Sequence, residues 1–261
     1  PGYDPMIQAL CGYMDLTGEP DGPPLQCGPP IIDLTAGDEA FAQILLALAE
    51  RQETGRGKQI DISMAHAAVS WLHTFLPMLD MDSPPEELKR SGNQHRQFIP
   101  VNAYATKDGY VYLALGSDAQ WQRFVGEAIF ASLADDRYAT NEGRREHRVE
   151  LHAAIDALTA KWTSAEVAES LGKAGIPHAP ITPIEGVTEL DFVKETLLRT
   201  TAPDGRQIRL PPPAVGTPHL DAIKGELPFA PAYGAHTDAV LAEVGLSADE
   251  IMGLRERGVV A

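Results

Sequence analysis

The chain has 261 residues, 44% apolar and 22% charged, with 23 glycines and 21 prolines. That length holds one large domain or two modest ones and buries roughly 70% of the unfolded surface. Asp plus Glu number 37 against 21 Lys plus Arg, a formal charge of −16, which excludes nucleic acid and anionic membranes as partners but still allows a local cationic pocket for a small anion. No apolar run approaches the roughly 20 residues that cross a bilayer, and no basic start leads into a hydrophobic segment. Cys11 and Cys27 are too few for a disulfide framework and read as free thiols of a reducing, cytoplasmic compartment. The opening Pro1-Gly2-Tyr3-Asp4-Pro5 lacks an initiator methionine and reads as a processed product or a segment of a longer gene product.

Residues 1–30 are dense in turn signals, with a short helical stretch predicted between Met6 and Met14. Ile31 and Ile32 read as an extended approach, and Thr35 with Asp38 as an approximate capping pattern. Ala40, Phe41, Ile44, Leu45 and Leu48 mark one face of a helix that exits at Thr54-Gly55-Arg56-Gly57. Ile60 and Ile62 alternate with polar neighbours, so Lys58 to Ser63 predicts a strand, and a second helix follows from about Met64 to Leu79. Strand and helix in alternation suggest an α/β layer with short connections.

A polar segment from Asp80 to Gln97 interrupts that layer. Val101 to Thr106 and Tyr110 to Leu115, joined by Lys107-Asp108-Gly109, predict a hairpin. Helices are predicted over about 118–131, 141–159 and 164–174, the last opened by the capping box Thr163-Ser164-Ala165-Glu166. Residues 98 to 180 thus read as a small α+β unit. A further helix over 186–198, an edge strand from Arg206 to Leu210, an irregular run over 214–235, and helices near 237–243 and after Ser247 complete the chain.

No phosphate-binding glycine motif, zinc spacing or serine elbow is present, and His66 and His73, seven apart, read as core or interface imidazoles; no metal site is expected. Asp33 stands just ahead of a helix, where amides and the helix dipole stabilise an anion. Its spacing fits two roles, an N-cap or an ionised nucleophile able to attack a carbonyl.

Several segments resemble the class III coenzyme A transferases, the formyl-CoA and carnitine CoA-transferase family. They are Gly2-Tyr3-Asp4, Gly18-Glu19-Pro20-Asp21-Gly22-Pro23-Pro24, Pro30-Ile31-Ile32-Asp33-Leu34-Thr35-Ala36-Gly37, and Glu53 through Met64. Gly92-Asn93 and Gly234-Ala235-His236-Thr237-Asp238 continue the resemblance in the family's order. It implies an α/β fold in which a Rossmann-like large domain, partial here, carries a smaller inserted α+β domain, and an interlocked homodimer. Residues 1–90 would be the central large-domain segment, 91–185 the small domain and 186–261 the return to the large domain. An isolated chain lacking the family's opening segment is not expected to fold alone.

The resemblance makes Asp33 the catalytic aspartate and places Tyr3 and Met64 in the wall of the coenzyme A pocket. It implies acyl-CoA and a small carboxylic acid as reactants, with the CoA thioester as substrate and no tightly bound cofactor. Backbone amides near Gly37 and in the 91–97 loop are candidate oxyanion donors. Racemases of the same superfamily place a histidine where this chain has Tyr3, and a phenol with pKa about 10 is a poor base at neutral pH. Transfer is therefore favoured over isomerisation or racemisation of a CoA thioester, a non-catalytic subunit being the third reading. Formyl-CoA transferases carry a glycine run after Gly92-Asn93; here Gln94-His95-Arg96-Gln97 is bulkier, and His95 or Arg96 is a candidate ligand for an acceptor carboxylate.

Overall fold

In a computed structural model, which describes residues 2–261, the turn-rich opening carries helices α1 (Asp4–Leu10) and α2 (Tyr13–Leu16). A 24-residue helix α3 follows, Ile31–Thr54, ending at Gly55 in the left-handed conformation that glycine adopts without steric cost. Ile31 and Ile32 are its first turn, not an extended approach, and Thr35 caps nothing: its hydroxyl donates back to the Ile31 carbonyl at 2.6 Å. The face marked by Phe41, Ile44, Leu45 and Leu48 is exposed, and α3 buries only Ile32 and Thr35.

Lys58 to Ser63 is not a strand. Its alternation is real, with Ile60 and Ile62 half-buried, but the segment finds no ladder partner among the described residues. The expected helix from Met64 to Leu79 is two: α4 (Met64–Ser70), capped by Ser63, and α5 (Leu76–Leu79). Pro77, which has no N–H to donate to a preceding turn, sits at the start of the second. The strand–helix alternation expected here is therefore absent among the described residues before Val101. α1 instead packs on α3 and α4 as a helical layer, burying Ala67, Ala68 and Leu72 besides Ile32.

The hairpin forms as read, β1 (Val101–Thr106) against β2 (Gly109–Ala114), and β3 (His178–Pro180) adds antiparallel to β2, giving the order β1-β2-β3. Between them run α6 (Asp118–Val125), α7 (Asn141–Glu146), α8 (Arg148–Thr159) and α9 (Ser164–Lys173). α6 stops short of 131 at Gly126, and the helix expected over 141–159 breaks at His147. The α9 capping box is present as expected. One apolar cluster, including Trp121, Phe124, Phe130, Leu151, Ile155 and Leu171, fills the space between sheet and helices, and all its members lie within residues 99–176. The fully buried Arg144 donates to the carbonyls of Ile99 (2.6 Å) and Tyr138 (2.9 Å) and to Asp118 (2.8 Å), so this guanidinium is fully committed to structure.

The chain divides into two compact units, residues 1–181 and 182–261. In the second, the helix expected over 186–198 is replaced by α10 (Ile184–Val187), α11 (Asp191–Lys194) and the start of β4 (Leu198–Thr201). Leu190 is extended ahead of α11, and the β-branched pair Thr200-Thr201 goes to the sheet. β5 (Gln207–Leu210) pairs antiparallel with β4 on one edge. α12 (Pro218–Ala222) follows, and β6 (Glu226–Leu227) pairs parallel with β4 on the other side. α13 (Thr237–Glu243) and α14 (Ala248–Glu256), the latter with a Ser247–Glu250 capping box, close the chain.

Candidate active site

Asp33 lies in the first turn of α3 and is exposed. It is not the N-cap. The N-cap position is Pro30, which has no side-chain acceptor, and the capping is done by Asp4, whose carboxylate accepts the amides of Ile32 (2.6 Å) and Asp33 (3.2 Å) through Oδ2 and the Gln8 side-chain amide (2.6 Å) through Oδ1. Gln8 in turn accepts the Cys27 amide at 2.9 Å. The Gly2-Tyr3-Asp4 element is thus a clamp that fixes the start of α3 from 28 positions upstream. The Asp33 carboxylate itself accepts no hydrogen bond among the described residues, while the helix terminus stabilises its charge. Sequence reasoning missed Asp4 because a cap delivered from another helix leaves no local signature; its place in Gly-Tyr-Asp was the available hint.

Gly37 is one turn further along the same face as Asp33, and a Cβ there would meet nothing within 4 Å. The bare helix surface leaves room for a ligand beside the carboxylate. As an interior residue of α3, however, Gly37 has its amide committed to the helix ladder, and the first-turn amides of Ile31 and Leu34 bond to the carbonyls of Pro29 and Pro30. None of these is available to an oxyanion.

Tyr3 is the N-cap residue of α1 and 80% exposed; Met64 opens α4 and is half-buried. The two share the helical layer that carries Asp33, since α1 packs on both α3 and α4.

The 91–97 loop is held from both sides. Gly92 has φ +57°, its amide donates to the Gly18 carbonyl at 2.9 Å, and a Cβ at this position would stand 2.7 Å from the Glu19 carboxylate. Only glycine fits. The Asn93 carbonyl accepts the Tyr112 hydroxyl at 3.3 Å, and Asn141 bridges the Gln97 carbonyl (2.9 Å) and the Ile99 amide (3.1 Å). His95 Nδ1 accepts the amides of Gln97 and Phe98, both at 3.1 Å, which leaves Nε2–H as its donor. The cation of the loop is Arg96. Its Nη2 donates to the Lys89 carbonyl at 2.7 Å and its guanidinium lies over the Phe75 ring at 5.0 Å. Burial pulls this guanidinium below the ordinary arginine value, with the Glu87 carboxylate opposing. Three loop amides, those of Ser91, Asn93 and Arg96, make no hydrogen bond among the described residues.

Loop residues Gly92, Asn93, His95 and Arg96 line one cavity of about 560 Å³ with Phe75, Met78 and Tyr112. No group of three His, Cys, Asp or Glu is arranged to hold a metal ion among the described residues. None of the helices described is long and apolar enough to cross a membrane.

Comparison with known proteins decides the family, because the profile described as CoA-transferase family III matches residues 1–237, nearly the whole chain. The chain belongs to CoA-transferase family III. A relative from Agrobacterium fabrum, succinate–glutarate CoA-transferase, is 33% identical over 250 residues, 93% of this chain and 60% of its own length. Succinyl-CoA:glutarate CoA-transferase of Mus musculus is 30% identical over 246 residues, again 93% of this chain and 56% of the relative. Among solved structures, a CAIB/BAIF family protein from Brucella suis superposes with a TM-score of 0.76 at 30% identity, covering 93% of this chain and 62% of that one. The chain therefore spans about 60% of the length of the family III relatives it matches. Both the Asp33 turn and the 91–97 loop fall inside the family match; α14 falls outside it.

Proposed function

We propose that this chain carries the catalytic half-site of a transferase that moves coenzyme A from an acyl-CoA donor to a carboxylic acid, with Asp33 as the covalent nucleophile. The observation that carries the reading is the division of labour between two aspartates. Asp4 does the capping, so the Asp33 carboxylate stands at a helix N-terminus without an intrachain hydrogen bond among the described residues.

In the first step an Asp33 oxygen attacks the donor thioester carbonyl, the C–S bond breaks, and a mixed anhydride and free thiolate result. The thiolate then attacks the aspartyl carbonyl of the anhydride, releasing the donor acid and leaving an aspartyl-CoA thioester. The acceptor carboxylate displaces the thiolate to form a second anhydride, and attack of the thiolate on the acceptor acyl carbon regenerates Asp33. No net proton is consumed, so the site's tasks are positioning and stabilisation of tetrahedral oxyanions. The unbonded amides of Ser91, Asn93 and Arg96 are the main-chain donors the 91–97 loop can offer. Gly92 shapes the loop, His95 Nε2–H and Arg96 serve the acceptor acid, and Tyr3 and Met64 serve the coenzyme A moiety.

The named transferases act between succinate and glutarate, which supports a dicarboxylic acid as the partner here. The wider assignments are part of the same proposal: a Rossmann-like large domain contributed in part by residues 1–90 and 186–261, a small domain over 91–185, and an interlocked homodimer in a reducing cytoplasm. The exposed apolar side chains of α3 support its being covered by another polypeptide surface.

Asp33→Asn tests the reading. The change removes the carboxylate while costing at most about 0.3–1 kcal/mol of charge–dipole stabilisation. Transfer should fall by orders of magnitude with the melting temperature nearly unchanged. Mass spectrometry after incubation with acyl-CoA should show an acyl or CoA adduct on Asp33 in the parent only. Brisk turnover by D33N, or rapid deuterium entry at the α-carbon of a branched acyl-CoA with no transfer to an added acid, would overturn it.

A further inference from the structure

A second cavity, of about 760 Å³, opens beside the 91–97 loop within residues 1–181. Its lining residues are polar or charged apart from Pro20, and Lys89, Arg90, Arg96, Arg145 and Arg148 outnumber the four carboxylates there by one, in a chain whose net charge is −16. Two of these arginines have a carboxylate partner. Arg90 has one in Asp15 at 3.1 Å, and Arg145 has one in the buried Glu87 at 3.3 Å.

Arg96 and Arg148 make no salt bridge among the described residues, and the Glu87 carboxylate, already paired with Arg145, acts on Arg96 only from further off. Arg96 donates to the Lys89 carbonyl at 2.7 Å, and Arg148, the first residue of α8, donates to the His95 carbonyl at 3.4 Å. Arg148 is thereby tied to the backbone just ahead of Arg96, and both side chains line the same cavity. The Nε–H groups of Arg90, Arg96 and Arg148 are all buried without an acceptor. A guanidinium offers five donors in a planar fork, so most of the hydrogen-bonding capacity of Arg96 and Arg148 is unused. Stacking on Phe75 fixes Arg96 in advance of any ligand.

We propose that this cavity is a docking site for the carboxylate of an organic acid, held between Arg96 and Arg148. The anion preference rests on this geometry, and the identification of the anion as an acid substrate rests on the transferase reading above. A carboxylate matches the fork of a guanidinium with two parallel hydrogen bonds. Asp21, Glu142 and Glu146 also line the cavity, and their charge opposes the two charges that phosphate holds at one centre more than a single carboxylate, glutarate carrying its second charge on a separate group. Ser91 and Gln94 in the same wall supply neutral hydrogen-bonding groups for the rest of a short polar acid.

The test is a calorimetric titration of the purified protein with glutarate, acetate and inorganic phosphate, repeated for Arg96→Gln, Arg148→Gln and the control Arg137→Gln. Arg137 pairs with Asp135 and Glu150 on the surface and does not line the cavity. Glutarate should bind saturably and more tightly than phosphate, its affinity falling about tenfold or more in each of the first two variants and staying unchanged in the control. Should R148Q fail to fold, Arg148→Lys keeps the charge without the fork and should give a smaller loss in the same direction. No glutarate binding, phosphate binding as tight as glutarate, or glutarate affinity unchanged in both R96Q and R148Q overturns the site. Adduct formation on Asp33, scored in the same samples, separates the two readings. Acid binding without an adduct sinks the transferase chemistry alone, whereas an adduct with acid binding indifferent to both arginines sinks the site alone.

Discussion

His152 is an imidazole held neutral by its surroundings. It is 7% exposed, and its Nδ1 lies 2.6 Å from the buried Tyr104 hydroxyl. Burial first, and the Arg148 charge second, lower its pKa from 6.5 to about 4. The unfolded chain keeps the ordinary value, so between those limits it binds the additional proton. The resulting stabilisation is complete above about pH 6.5 and is lost as pH falls toward 4, roughly 3 kcal/mol at about 1.4 kcal/mol per unit. Melting temperatures recorded from pH 7 to 4 should fall through this window. In His152→Asn, which keeps a polar partner for Tyr104 but does not titrate, the slope should flatten; an equally steep slope in that variant would remove His152 as the cause.

At the scale of elements, α3 depends on α1. Asp4→Ala removes the acceptor for two first-turn amides and for Gln8 at a site that is 4% exposed, so the loss combines a missing cap with newly unsatisfied buried donors. A destabilisation of about 2–3 kcal/mol is expected from denaturant unfolding, with Asp4→Asn recovering part of it. A change below about 0.5 kcal/mol would show that the clamp is incidental. The same element shows what sequence can and cannot carry. The capping boxes at Thr163 and Ser247 and the hairpin at Lys107-Asp108 were legible because donor and acceptor lie within three or four residues. Asp33 was legible as important but not as free of the cap, because its competitor for that role lies 29 residues away. Lys58 to Ser63 has the side-chain period of a strand, yet a strand also needs a neighbour's backbone, and no periodicity within the segment reports one. Arg148 carried no local signal at all; only folding brings it to the loop that holds Arg96.

Over the whole molecule, apolar burial is uneven. The main cluster lies within residues 99–176, whereas α3 exposes Leu34, Phe41, Ile44, Leu45 and Leu46. Phe41 and Leu45 are one turn apart and 65% and 50% exposed. Covering the exposed parts of these two side chains is worth about 2–3 kcal/mol, so the double change Phe41→Ser, Leu45→Ser should weaken the proposed self-association on the order of a hundredfold. Light scattering coupled to gel filtration reads this directly, and an unchanged mass distribution would mean that α3 is not the adhesive face.

Because the cluster's residues are neighbours along the chain, the loops that must close to assemble it are short, and short loops close fast. Residues 99–176 should therefore gain protection first when refolding is followed by pulsed hydrogen exchange, with the α3 amides acquiring it later; the opposite order would disprove this. The carbonyl of Ile99 is gripped by Arg144, and the Gln97 carbonyl by Asn141, so the 91–97 loop is set as soon as that nucleus exists. Asp33 must wait for α1 to meet α3. The two parts of the candidate site are thus born at different moments, and Asp33 is positioned last.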